Sequence, residues 1–115
     1  MKKKQTKSIA GEIVAAANEK QAHNTLTLDI REVSSIADYF IICSGSTTRQ
    51  AKAIYDEIEF KLSKDRLWPL HVEGVSESKW VLMDYGDIVV HIFDDETREY
   101  YDLEGLWGDA PKVEF

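Results

Sequence analysis

The run Tyr39-Phe-Ile-Ile-Cys43 constrains this chain most. It is an unbroken apolar stretch of large side chains, and with Asp38 before it and Ser44-Gly45 after it, it lacks the alternation of a strand with one wet face. A strand covered on both faces reads as a near-continuous apolar run. Asp38–Cys43 is therefore expected to be a central strand, and the chain must cover both of its faces. A membrane helix needs about 18 apolar residues, far more than this run supplies.

The neighbouring patterns supply the rest of a sheet and its cover. Ile9, Ile13, Val14 and Ala17 follow helical spacing from about Thr6 to Gln21. Leu26, Leu28 and Ile30 alternate with Thr27 and Asp29 as in a half-buried strand. Ser44-Gly-Ser-Thr-Thr48 opens a helix to about Lys64, with Ala51, Ile54, Tyr55, Ile58 and Leu62 on its apolar stripe. Pro69–Val72 is a short strand with proline at its start, where a missing N–H is tolerated. Lys79–Asp84 and Ile88–Phe93, joined by Tyr85-Gly86-Asp87, form an antiparallel hairpin. A short helix is expected near Glu96–Tyr101. The predicted fold is α+β, a five-stranded mixed sheet with helices packed mainly on one side. With 115 residues, one domain is expected. Residues 1–6 are expected to be a disordered basic start, residues 7–107 the domain, and residues 108–115 a tail after regular structure ends.

Charge narrows the partners. The formal net charge is −7, and four lysines fall within the first seven residues. From Asp84 to Asp109 nine acidic residues face one basic residue, Arg98. Such a surface repels a phosphate backbone and attracts a basic protein, so little or no direct nucleic-acid binding is expected. No apolar signal segment follows Met1-Lys-Lys-Lys4, and a single cysteine makes no internal disulfide. A cytoplasmic location, without a membrane association, is the expectation.

Candidate chemistry is sparse. Cys43 is the one thiol, but it closes an apolar strand and reads as a small hydrophobe. Gly45-Ser46-Thr47, between a strand and a helix start, could hold an anion, yet helix capping explains the same residues. Asp84, Asp87, Asp94 and Asp95 lie at strand ends, where magnesium ligands and turn-forming aspartates both occur. His71 and His91 lack zinc-ligand spacing. No cofactor, metal site or catalytic residue is assigned. The aromatics say more: Trp80, Tyr85, Tyr100, Tyr101 and Trp107, with Leu103 and Leu106, form an apolar set beside acidic surface, as interface anchors do.

Asp38-Tyr-Phe-Ile-Ile-Cys-Ser-Gly-Ser-Thr-Thr-Arg-Gln50 resembles the first signature of the ribosomal silencing factor (Iojap-related) family. Val72-Glu-Gly74, Trp80-Val-Leu-Met-Asp-Tyr-Gly-Asp-Ile-Val-Val-His-Ile-Phe93, Tyr100-Tyr-Asp-Leu-Glu104 and Leu106-Trp107 resemble the second. The similarity runs from about Ile9 to Trp107, with one departure at Gly105, where a long, often basic residue is expected. The resemblance implies a nucleotidyltransferase-like fold without transferase activity. It implies a translation repressor of nutrient limitation that binds the large ribosomal subunit through its fourteenth protein and blocks small-subunit joining. It also implies a homodimer when free. The alternative is a residual nucleotidyltransferase using magnesium and a nucleoside triphosphate near Gly45-Ser46 and Glu73. Such enzymes carry an acidic pair at the end of the strand after that turn, and here Glu73 stands alone.

The expected docking surface is the Trp80–Tyr85 strand, the Asp84–Asp87 turn and the Tyr101–Trp107 segment. Strand alternation puts Trp80, Leu82 and Asp84 on one face and Val81 and Met83 on the other. Tyr85, Gly86, Asp87, His91, Tyr101, Leu103, Leu106 and Trp107 complete the partner-binding set. If Leu103, Leu106 and Trp107 stay off their own core, they leave a patch for self-association.

Overall fold

The computed structural model describes residues 5–115. Nine elements follow in order: α1 (Thr6–Glu19), β1 (His23–Asp29), β2 (Tyr39–Gly45), α2 (Thr48–Ser63), β3 (His71–Glu73), β4 (Trp80–Asp84), β5 (Ile88–Asp94), α3 (Asp95–Tyr101) and α4 (Leu103–Leu106). The five strands form one sheet in the order β1-β2-β5-β4-β3. Only β2 and β5 run parallel, in register from Tyr39 opposite Ile88 to Gly45 opposite Asp94. The pairs β1–β2, β3–β4 and β4–β5 are antiparallel, so the sheet is mixed as expected. Every residue of β2 is buried, which its unbroken apolar run required.

The sheet has two cores because it has two faces. Tyr39, Ile41, Cys43, Val81, Met83, Val90 and Ile92 point at α1 and α2 and pack against Ile13, Ala17, Ile54, Ile58 and Leu62. Phe40, Ile42, Val89 and Phe93 point the other way, into a second core with Leu28, Ile30 and Ala110. The second face is covered by α3, α4 and the chain after them, so the helices are on one side only for the two long ones. Gly45 is required where β2 meets α2: a Cβ there would stand 2.9 Å from the backbone nitrogen of Ala51.

Several boundaries differ from the sequence reading. Thr6 is already helical, with Gln5 as the N-cap residue, while Met1–Lys4 lie outside the described residues. β1 starts at His23 because a bulge before Leu26 and a left-handed Asn24 absorb the pattern break. β3 is shifted to His71–Glu73, and α4 was not anticipated.

Residues 108–115 are not a loose tail. Pro111 O accepts from Asp29 N at 2.8 Å, and Val113 N donates to Thr27 O at 2.9 Å. Lys112 thereby bridges Leu28 and closes the outer edge of β1. An unpaired edge is a pairing hazard, and this segment removes it.

Candidate functional site

β4 alternates as expected. Val81 and Met83 are buried against the long helices, while Trp80, Leu82 and Asp84 are half-buried on the second face. Trp80 is built into that face as well as presented by it. Its ring lies 4.9 Å from Phe93 and 5.0 Å from Tyr101, centroid to centroid. Its Nε1–H donates to His91 Nδ1 at 3.1 Å. Across β3, His71 and Glu73 share a hydrogen bond on the same exposed face as Leu82 and Asp84.

The β4–β5 turn is closed by Asp84, whose Oδ1 accepts from Gly86 N at 2.7 Å. Gly86 sits at φ +92°, a conformation that favours glycine. Asp87 is exposed beside it. Asp84 is thus a half-buried, turn-forming aspartate, and among the described residues the magnesium reading of it finds no converging partner. Among the described residues, no three His, Cys, Asp or Glu side chains come together as a metal ion would need.

Four of the expected docking residues are placed otherwise. Tyr85 turns to the opposite face and packs on the α2 side near Tyr55. Burial pushes its phenol up, and its hydroxyl has no hydrogen-bond partner among the described residues. His91 is 4% exposed, so it supports the surface from below instead of forming it. Desolvation lowers its pKa to about 4. With Nδ1 accepting from Trp80, the neutral ring carries its proton on Nε2, which is buried without a partner among the described residues. Trp107 folds back on the sheet, 5.2 Å from the Phe40 ring, and Leu103 packs with it. Strand alternation itself sends Tyr85 to the Val81 and Met83 side and His91 to the Leu82 side, whereas how deeply His91, Leu103 and Trp107 are covered depends on the segments over the second face.

Leu106 does remain outside, 77% exposed, with Tyr100 and Tyr101 also exposed on α3. This ridge is held by a residue that composition alone made look incidental. Arg98, the lone base in the acidic stretch, donates Nη1–H to the fully buried Ser44 hydroxyl at 2.8 Å and Nε–H to Glu104 at 3.0 Å. It ties α3 and α4 to the end of β2. Asp94 caps α3 by accepting from Thr97 N at 2.8 Å. Gly105 does not unravel the last turn: α4 forms through it, and Asp102 fills the space where a Cβ would stand.

Groups that an enzyme could use take part in the structure as well. At the start of α2, Ser46 N donates to Gln50 Oε1 at 2.6 Å and Gln50 N to Thr47 Oγ1 at 3.1 Å. Two of the backbone donors at this turn are therefore engaged within the chain. Cys43 is fully buried, and desolvation pushes its thiol up to about 12, the reverse of a nucleophile. A cleft of about 620 Å³ opens beyond the ends of β2 and β5. Its Arg98 is committed as above, and its His23 is paired with Asp95 at 2.6 Å.

The model of the family described as "Ribosomal silencing factor during starvation" matches residues 3–115. The chain belongs to the ribosomal silencing factor family. The match includes the C-terminal segment that pairs with β1. The ribosomal silencing factor of Bacillus subtilis is 45% identical over 105 residues, 91% of this chain and 89% of that protein. A mouse protein named for mitochondrial assembly of the ribosomal large subunit is 32% identical over 83% of this chain and 43% of its own length. A crystal structure of a Chromobacterium violaceum protein superposes with a TM-score of 0.89 at 30% identity, covering 97% of this chain and 92% of that one.

Proposed function

We propose that this ribosomal silencing factor represses translation by occupying the large ribosomal subunit and excluding the small one. The contact is made through the large subunit's fourteenth protein, a basic protein, in the cytoplasm and under nutrient limitation. The observation that carries the reading is the β4 row of Trp80, Leu82 and Asp84. It is half-exposed on the second sheet face, with Tyr101 against Trp80, and the helices α3 and α4 that follow carry exposed Leu106 and the carboxylates Asp95, Glu96, Glu99 and Asp102. An apolar strip with an acidic surround suits a basic partner: the strip supplies affinity and the carboxylates speed encounter. The name of the mouse relative, which refers to the large subunit, supports the same side of the ribosome.

The mechanism requires no turnover. A factor seated on the joining surface excludes the small subunit by volume alone. The nucleotidyltransferase-like ancestry implied by Gly45-Ser46 fits a scaffold whose acidic pair is reduced to Glu73. In the free factor, Leu106 and Tyr100 are among the exposed apolar groups available to a second copy, and sedimentation equilibrium at roughly micromolar concentration reads that homodimer.

Co-sedimentation with purified large and small ribosomal subunits tests the proposal. The factor pellets with large subunits and stays in the supernatant with small ones. Equal pelleting with both, or with neither, overturns it.

A further inference from the structure

We infer that the docking surface continues over the end of the sheet at the β4–β5 turn, where Ile36 and Leu70 seat on aliphatic or aromatic groups of the same basic protein partner. This rests on the docking reading above and extends it past the turn to Ile36 and Leu70, which that reading does not use.

The structure gathers three separate segments at that end. Asp38 N and Tyr39 N both donate to Asp87 O, at 2.8 and 3.1 Å, so the β1–β2 loop lies directly against the turn. On the other side Leu70 N donates to Asp84 O at 2.7 Å. The Leu70 side chain comes within 3.5 Å of the position a Cβ would take on Gly86. Ile36 is 67% exposed and Leu70 78% exposed, with Val33 exposed beside Ile36. Asp87, exposed between them, adds a carboxylate.

These aliphatic groups are on ordered backbone. Val33 N and Ser34 N both donate to Ile30 O, at 3.1 and 2.9 Å, and Ile36 N donates to Ser34 Oγ at 3.1 Å. A loop already held in one shape loses little entropy on binding. Large aliphatic side chains displayed on such a loop, grouped around a turn, mark a contact surface.

Area points the same way. The strip from Trp80 to Asp84 is about 13 Å long and two strand spacings, about 10 Å, wide. A standard interface buries about 800 Å² on each partner, several times that footprint. The rim from β1 to β3 spans four strand spacings, about 19 Å, and adds to the area offered. The rim and the strip meet at Asp84 and Gly86, so one partner can cover both.

The test measures affinity of fluorescently labelled full-length chain for purified large ribosomal subunits. Ile36→Ser combined with Leu70→Ser is compared with Leu82→Lys on the strip and with Phe60→Ser on the exposed side of α2. The rim pair is expected to weaken binding at least about tenfold, and Phe60→Ser to stay within about twofold of the parent. If Leu82→Lys weakens binding while the rim pair stays within about twofold, the inference is overturned and the docking reading stands. If neither weakens it, both fall. Loss from Phe60→Ser equal to that from the rim pair also overturns the inference, since the effect is then not local to the rim. Circular dichroism and thermal melts accompany each variant. Should the pair melt early, Leu70→Ser alone is read by the same criteria, its side chain being mostly in solvent.

Discussion

His91 gives the fold an acid sensitivity that can be worked out in advance. The imidazole is buried between Phe40, Trp80 and Phe93, and desolvation holds its pKa at about 4 against an ordinary 6.5. Between those values the unfolded chain takes up a proton that the folded chain refuses. The unfolded state then binds more protons, so stability falls as pH drops from about 6.5 towards about 4 and is independent of this group above about 7. At about 1.4 kcal/mol per pH unit, the full loss amounts to about 3 kcal/mol, a large share of a domain's usual 5–15 kcal/mol. His91→Gln isolates the effect. Its side-chain carbonyl can still accept from Trp80 Nε1, and it does not titrate. Urea denaturation of both proteins from about pH 7 to about pH 4.5 should give curves that diverge as pH falls, with the wild type losing stability faster. Other titrating groups are shared and cancel in the difference. Parallel curves over that range would refute the reasoning, because they would mean that His91 titrates alike in both states.

Further expectations concern what holds the second face. Arg98→Ala removes the donors to Ser44 and Glu104 and leaves a buried hydroxyl unpaired, so unfolding free energy should drop by about 2–4 kcal/mol in urea titration; a change below about 0.5 kcal/mol contradicts the clamp. Deleting residues 109–115 frees the backbone groups of Thr27 and Asp29 on β1 and uncovers the pocket filled by Ala110. The melting temperature should fall, and sedimentation should show association through the opened edge. An unchanged melt and an unchanged molecular mass would mean the segment is ornamental.

The elements that faced one environment were the legible ones. Tyr39–Cys43 announced burial on both faces, and Trp80–Asp84 announced burial on one, because strand geometry converts each environment into a spacing. The α2 stripe worked for the same reason at helical period. The cover of the second face had no such signal. It is assembled from α3, α4 and residues 110–113, each too short to show a period, and joined to the sheet by single contacts such as Arg98 to Ser44. Tyr85 follows the strand's alternation, 81, 83, 85, to the helix side, so its place in the motif and not its face put it in the docking set. His91 misled because a polar residue in a recognised motif suggests contact, whereas here it takes a core position and supports Trp80. The second-face strip itself was legible; which of its aromatics stay exposed was not.

The central claim is exclusion of one subunit by a factor seated on the other, and the rate and extent of subunit joining test it most directly. Light scattering follows large and small subunits mixed with increasing amounts of the chain. The wild-type factor should reduce joined ribosomes in proportion to its occupancy of large subunits. Leu82→Lys, whose new ammonium is accommodated opposite Glu73, should fold normally and lose most of that effect. Joining that proceeds unchanged with every large subunit occupied would contradict the account.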